Sequence, residues 1–183
     1  DGAAILGHSI HLASQRSAYD YARYAFVYKQ DAADCIPQLQ ALGWTTLVQD
    51  TLPVDVDKTQ DPELREWVNL KGCCGVKEFM KLYVYTLEQH PIAVHFDTDV
   101  VLLKPMDALF DTMLNRTSSL PENHAMFQKQ PSPTTDFYFT RDYYQGSQYT
   151  DEPSQYGVQG GFLVVKPNRT VYHEPFSYTH LTL

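Results

Sequence analysis

The hydrophobic positions of the chain alternate between helical spacing and the short apolar runs that are typical of strands. In chain order, they predict helices at 3–13, 31–42, 62–69 and 76–89, strands at 21–28, 45–49 and 92–96, and a helical turn at 106–110. Gly43 is expected to end the second helix, and Pro37 to kink it or to mark its true first turn. Strands that alternate with helices predict an α/β fold.

The second half of the chain is less regular. Residues 112–156 have the composition of loops, rich in Ser and Pro, around two short predicted strands at 125–128 and 137–140. Gln159, Gly160 and Gly161 then lead into an apolar run that predicts a further strand at 162–165. Two glycines at the start of a strand indicate a close approach by a ligand or by another backbone, or else a bulge or a tight turn.

The stretch 92–103 carries the candidate chemistry. Its mostly apolar residues 92–96 lead into Asp97-Thr98-Asp99, and four more apolar residues follow. A short run rich in β-branched residues predicts a strand that is buried on both faces, as in a parallel sheet. On an extended chain Asp97 and Asp99 point to the same side. Two hard oxygen ligands at the end of such a strand predict a Mg²⁺ or Mn²⁺ site that often carries a phosphate.

A D-x-D triplet also occurs where carboxylates cap a turn or start a helix, and this alternative stays open. The chain contains a second triplet, Asp55-Val56-Asp57, which lies in a polar stretch with no strand before it. That triplet is interpreted as a solvated loop.

Composition limits the classes of partner. A chain of 183 residues with 43% hydrophobic and 20% charged residues is long enough for one folded domain with a core. Its net charge of -8 argues against nucleic acid and against an anionic membrane surface. No apolar run approaches the roughly 20 residues of a membrane span. An anionic ligand would therefore need a divalent cation and a few well-placed lysines.

Three features bear on the compartment and on the chain ends. Cys35, Cys73 and Cys74 do not make a disulfide framework and are interpreted as buried small residues or free thiols. The sequons at Asn115 and Asn168 favour the secretory lumen. Residues 177–183 show no pattern that links them to the fold and are interpreted as a non-native tail, so the predicted domain is 1–176, an internal fragment.

Three stretches in this order resemble glycosyltransferase family 8, the glycogenin-like nucleotide-diphospho-sugar transferases. They are residues 79–87 (FMKLYVYTL), 94–110 (VHFDTDVVLLKPMDALF) and 158–167 (VQGGFLVVKP). The Gly-Cys-Cys-Gly at 72–75 and the Phe-Thr-Arg-Asp-Tyr at 139–143 look most like plant, algal and protist members. The resemblance covers 5–167, and the three motifs together are far more specific than any one of them.

The resemblance implies a GT-A fold, a Rossmann-like, mostly parallel mixed sheet flanked by helices, truncated here at both ends. It implies a retaining glycosyltransferase that moves a hexosyl or related sugar from a UDP-sugar donor to a carbohydrate or glycoprotein acceptor, with Mn²⁺ (or Mg²⁺). It further implies the Golgi or another secretory lumen for the full-length protein, or the cytoplasm if the protein is glycogenin-like.

Site residues follow from the same resemblance. Asp97 and Asp99 fall on the metal-binding pair, with Asp97 also near the ribose, and Lys81 falls on the lysine that holds the nucleotide. Gln159, Gly160 and Gly161 fall where many members carry Asn-Ala-Gly or Asn-Ser-Gly facing the donor sugar. Gln159 departs from that pattern by one methylene group. His95 and Thr98 replace the commoner Tyr and Ala and are interpreted as packing and spacer residues, and no residue is assigned as catalytic.

Some parts of the family pattern are expected to lie outside the chain. The segment that contacts the uracil should precede Asp1, and an Asp-Gln segment and a third metal ligand, a His, should follow Pro167. We therefore expect the chain alone to bind Mn²⁺–UDP weakly and to transfer little sugar.

Two alternatives come from other classes. A haloacid-dehalogenase-type phosphohydrolase also uses a strand that ends in D-x-D, with the first Asp as nucleophile and the second as general acid and base. A non-catalytic relative would bind the nucleotide-sugar without transferring it.

Overall fold

A computed structural model describes residues 1–56, 62, 65–66, 68, 75–116, 136–142 and 157–173. Its elements are α1 (Gly2–Ser14), β1 (Tyr24–Tyr28), a 3₁₀ turn (Lys29–Asp31), α2 (Ala32–Ala41), β2 (Thr45–Gln49), a 3₁₀ helix (Gly75–Thr86), β3 (Ala93–Phe96), α3 (Asp107–Met113), β4 (Phe137–Asp142), β5 (Gly157–Val165) and α4 (Arg169–His173). The described part is mixed α/β, as the alternation of elements predicts.

The first half forms the expected strand–helix–strand unit. β1 and β2 pair in parallel, from Tyr24 opposite Thr45 to Tyr28 opposite Gln49, and α2 connects them. The helix continues through Pro37 and ends at Ala41, two residues before Gly43, whose φ of +80° suits a residue without a Cβ. The strand predicted at 21–28 begins only at Tyr24, because Tyr21 instead packs edge-on against Phe110.

The second sheet differs from the prediction. It has the order β3–β5–β4, and both of its pairs are antiparallel. The expectation of a mostly parallel sheet around residues 92–96 is therefore wrong for the strands that the structure describes. An apolar run does not report strand direction. In β3 only Ala93 is fully buried, whereas its partner strand β5 has Val164 and Val165 on opposite faces at 0% and 2% exposed.

The helix predicted at 76–89 is a 3₁₀ helix of 12 residues, Gly75–Thr86, which we call the lysine helix. Its apolar residues are compatible with either helix type, so the sequence pattern did not separate the two. A 3₁₀ helix rises about 2.0 Å per residue and an α-helix about 1.5 Å, so the segment spans about 24 Å instead of about 18 Å. It contacts β1, β3 and α4.

The buried core joins this helix to both sheets. Val84 and Leu87 form a cluster with Ala93 of β3 and Val165 of β5, and aromatic residues of β1 pack against it. On α1 the buried side chains recur at helical spacing, at Leu6, Ser9, Ile10 and Ala13.

Several predictions lie outside the described residues. They include the strand at 125–128, most of the helix at 62–69, Cys73 and Cys74, and the tail at 177–183. The short helix α4 was not predicted from the sequence. Among the described helices, none has the length and apolar character that crossing a bilayer requires.

We predict that Met113→Ala lowers the free energy of unfolding by about 2–5 kcal/mol, because Met113 is 2% exposed and its loss leaves a cavity. Leu103→Ala is the control, since Leu103 is 77% exposed and its truncation should change stability by less than about 0.5 kcal/mol. Urea unfolding of both variants measures the difference. Equal stabilities would contradict the described packing of α3.

Candidate functional site

A cavity of about 790 Å³ opens at the end of β3. Its wall includes residues from α1, β1, the lysine helix and β3, and its charged side chains include those of Glu78, Lys81, Asp97 and Asp99. The volume lies within the range of small-molecule and cofactor sites. The cavity therefore brings the lysine helix and the Asp97-Thr98-Asp99 triplet to one place.

The triplet lies at a turn. β3 ends at Phe96, and the Asp97 N–H continues the sheet pairing with one hydrogen bond to the Gly161 carbonyl, 2.9 Å. The Val100 N–H donates to the Asp97 carbonyl, 3.2 Å, so the chain turns at Thr98 and Asp99. The extended chain assumed for the two carboxylates is wrong, yet both residues line the cavity.

The glycine pair forms a bulge in β5. Phe139 of β4 lies opposite Leu163, but the next residue, Thr140, lies opposite Gln159. The β5 residues between these two partners, namely 160–162, thus have no opposite residue on β4. Of the alternatives that the sequence left open, the structure contains the bulge, and bulges are common next to functional sites.

The bulge also allows a close approach by Lys81. Lys81 Nζ donates to the Gly160 carbonyl at 3.2 Å, and a Cβ on Gly160 would lie 2.5 Å from that Nζ. The Lys81 side chain is 17% exposed and forms an ion pair of 2.7 Å with Glu78 Oε2. A single ammonium group is thus held between a backbone carbonyl and a carboxylate at the cavity wall.

His95 does more than pack. Its Nε2 lies 3.2 Å from Asp97 Oδ1. Burial lowers the pKa of His95, and the hydrogen bond with Asp97 offsets only part of that effect. The imidazole is therefore neutral at neutral pH, and because a carboxylate only accepts, His95 Nε2–H donates to Asp97.

The structure thus gathers Lys81, Asp97, Gly160 and Gly161, and it places Asp99 on the same cavity. For Gln159 it describes only the backbone position, opposite Thr140. The second lysine of the helix, Lys77, points elsewhere and pairs with Asp31 at 2.9 Å.

Two residues of the site were missed by sequence reasoning. Glu78 lies three positions before Lys81, and His95 lies two positions before Asp97 on a strand. Residues three apart share a side of a 3₁₀ helix, and residues two apart share a side of a strand. The spacing of each pair was therefore a signal in the sequence.

The charges at the cavity favour a cation. Four carboxylates, those of Asp20, Glu78, Asp97 and Asp99, line its wall together with two cationic side chains, those of Arg23 and Lys81. In the described part of the chain, no group of three or more His, Cys, Asp or Glu side chains is close enough to hold a metal ion. Mg²⁺ can also be held by only one or two carboxylates together with substrate phosphates, and Asp97 and Asp99 both line this cavity.

Comparisons with protein-family models, with curated proteins and with solved structures find no match to this chain. The family resemblance therefore stays a prediction, and the functional argument depends on the residues of the site.

We predict that Gly160→Ala displaces the Lys81 ammonium group, because the new methyl carbon would lie 2.5 Å from Nζ. Since the atom that must move is the end of a long side chain, the free energy of unfolding should fall by no more than about 1 kcal/mol. Side-chain NMR of Lys81 should show the changed environment, and thermal unfolding gives the stability. An unchanged Lys81 signal would contradict the described contact.

The lowered pKa of His95 predicts a pH dependence of stability. As the pH falls below about 6.5, the unfolded chain protonates this histidine before the folded chain does, so the free energy of unfolding decreases. His95→Gln should remove up to about 1.4 kcal/mol per pH unit from that slope. Urea unfolding of both proteins between pH 7.5 and pH 5 measures the difference, and identical slopes would contradict the burial of a neutral His95.

Proposed function

We propose that this chain is part of a retaining glycosyltransferase of the GT-A type that binds a UDP-sugar together with Mn²⁺ (or Mg²⁺). One observation carries the proposal. Lys81, Asp97 and the pair Gly160–Gly161 come from three segments far apart in the sequence, and they meet at the end of β3. A nucleotide-diphospho-sugar requires a cation site, a fixed positive charge and room for a sugar ring, and these residues can supply all three.

Asp97 and Asp99 would hold the metal ion. When bound, the ion would act as a Lewis acid that stabilises the negative charge of the departing diphosphate. His95 orients one of the two carboxylates through its hydrogen bond to Asp97 Oδ1. Hydrogen bonds of this kind to a metal ligand commonly fix the position of that ligand.

Lys81 supplies the fixed positive charge. Its side chain is mostly buried, and its ammonium group is held at 3.2 Å from the Gly160 carbonyl. An ammonium group that is already in place when charge develops on the leaving group stabilises the transition state without further reorganisation. Lys81 therefore acts on the phosphate side of the donor, next to the metal ligands.

Gly160 and Gly161 would face the donor sugar. The bulge in β5 leaves two consecutive residues without side chains beside Asp97, and the backbone carbonyl of Gly161 already accepts from the Asp97 N–H. The Lys81 ammonium group occupies the space in front of Gly160, so a sugar ring would approach the bulge beside that group. The resemblance assigns Gln159 to the same sugar. The acceptor in this proposal is a carbohydrate or a glycoprotein, and the compartment is the Golgi or another secretory lumen.

We predict that Asp97→Asn and Asp99→Asn each weaken Mn²⁺ binding and Mn²⁺-dependent UDP binding by at least about tenfold, because each removes an anionic oxygen ligand. Asp55→Asn is the matched control, since Asp55 belongs to the other D-x-D triplet and is exposed. Electron paramagnetic resonance counts free Mn²⁺, and ligand-detected NMR with Mg²⁺ follows weakly bound UDP.

The same proteins separate the competing phosphohydrolase. If the chain hydrolyses p-nitrophenyl phosphate, loses that activity in Asp97→Asn, and shows no metal-dependent UDP binding, the transferase proposal is wrong. A binding module without transferase activity would bind the UDP-sugar but release no sugar from it.

We predict that Lys81→Met weakens UDP binding by about tenfold or more and leaves uridine binding unchanged, since the ammonium group acts on the phosphates. Lys77→Met is the control on the same helix, because Lys77 is 49% exposed and pairs with Asp31. Ligand-detected NMR of UDP and uridine in competition measures the selectivity. An equal effect of both substitutions would contradict the assignment of Lys81.

A further inference from the structure

The Lys81 ammonium group at the cavity wall already has two polar partners. Its Nζ contacts the Gly160 carbonyl at 3.2 Å and Glu78 Oε2 at 2.7 Å. A lysine ammonium group has three N–H donors, so these two contacts leave one further direction for a ligand. The Lys81 side chain is 17% exposed and that of Glu78 is 39% exposed, so solvent screens this pair less than a surface pair.

The helix type fixes the pairing. In a 3₁₀ helix, residues three apart lie directly in line, whereas in an α-helix they are offset by about 60° around the axis. Glu78 therefore stands in line with Lys81 on the lysine helix. Lys77 on the same helix pairs outward with Asp31, which shows that the inward ion pair is specific to Lys81.

This pairing changes what the cavity can bind. The side chains of Asp20, Glu78, Asp97 and Asp99 give the cavity wall four negative charges, and those of Arg23 and Lys81 give it two positive charges, a net charge of two negative. Such a wall repels a free nucleoside diphosphate and attracts a divalent cation. Without Glu78 the same wall would have a net charge of only one negative, and the ammonium group would have no carboxylate partner at 2.7 Å.

We propose that Glu78 is a positioning residue that makes donor binding depend on the divalent cation. Glu78 holds the Lys81 ammonium group at the Gly160 carbonyl and offsets its charge while no cation is bound. Once a cation has neutralised the carboxylates, the charge of Lys81 acts on the diphosphate. The inference rests on the proposed function, because it assigns a role within the same site. It concerns a residue of this chain that the family resemblance did not indicate.

The test is Glu78→Gln, which keeps the size of the side chain and one oxygen acceptor but removes the charge. UDP binding without a divalent cation should become measurable in this variant. The factor by which Mg²⁺ raises the affinity for UDP should fall at least about tenfold relative to the unaltered chain, and Mn²⁺ alone should bind several-fold more weakly. Ligand-detected NMR with and without Mg²⁺ gives the factor, and electron paramagnetic resonance gives the Mn²⁺ affinity.

Two further variants sharpen the result. Glu78→Asp keeps the charge and should retain most of the cation dependence, which a merely structural role of Glu78 does not predict. Glu88→Gln is the matched control, because Glu88 is an exposed acid whose side chain pairs with Arg169 at 3.4 Å, and it should leave the factor unchanged. Thermal unfolding shows which variants are folded, and Glu78→Ala, which also removes the charge, replaces Glu78→Gln if that variant does not fold.

The outcomes separate the inference from the proposed function. Suppose that Mg²⁺ raises the affinity for UDP by the same factor in the unaltered chain and in Glu78→Gln. The role of Glu78 is then wrong, and the proposed function stands. If the unaltered chain shows no cation-dependent UDP binding, the proposed function fails, and the role of Glu78 fails with it.

Discussion

The hydrogen bond from the Asp97 N–H to the Gly161 carbonyl, 2.9 Å, is the contact on which the site depends. It extends the pairing of β3 and β5 by one residue beyond the end of β3, at the point where β5 bulges away from β4. A carboxylate that follows a strand directly would otherwise be free to swing with its loop. Because its backbone is tied to the glycine bulge, Asp97 stays within reach of His95, and the carbonyl of the neighbouring Gly160 stays within reach of Lys81.

An acidic chain can bind an anionic ligand only if its charges are arranged unevenly. The net charge of -8 opposes a diphosphate, but the cavity concentrates carboxylates at Glu78, Asp97 and Asp99, where a divalent cation would be attracted. The lysines are distributed unequally as well. Lys77 and Lys29 pair with exposed acids at the surface, whereas Lys81 is mostly buried at the site. Solvent screens exposed pairs of the first kind, which therefore contribute little to stability. Of these three lysines, only Lys81 contacts the cavity wall.

Local patterns predicted most of the elements but not their pairing. The apolar spacing at 3–13 predicted nearly the correct bounds of α1, because one face of that helix is buried. The β-branched run at 45–49 predicted the bounds of β2, although none of its residues is fully buried. The direction of β3 could not be predicted, since Val164 and Val165 are buried on opposite faces in an antiparallel pair just as they would be in a parallel one. The 3₁₀ geometry of the lysine helix was equally hidden, because its apolar residues fit both periods.

The same limits apply to the site. Asp97, Lys81 and the glycine pair each lie in a recognisable local pattern, and the structure brings Lys81 to Gly160 and Asp97 to Gly161. His95 and Glu78 were missed because a single His on a strand and a Glu three residues before a Lys are ordinary features of surfaces and cores. The contact of His95 with Asp97 at 3.2 Å and that of Glu78 with Lys81 at 2.7 Å depend on how deeply β3 and the lysine helix are buried. Composition does not report that depth.

The direction of Lys81 is set by the aromatic core rather than by the site itself. Tyr83, two residues further along the lysine helix, is stacked between Phe26 of β1 and Tyr172 of α4, with ring centroids 5.6 Å apart on each side. Its hydroxyl donates to the Thr51 carbonyl at 2.6 Å. Burial raises the pKa of Tyr172 to about 12, and its hydrogen bond with Tyr83 acts in the same direction, so Tyr172 stays neutral in this stack. Rotation of the lysine helix would break this stack. The core therefore keeps the ion pair of Lys81 and Glu78 facing the glycine bulge.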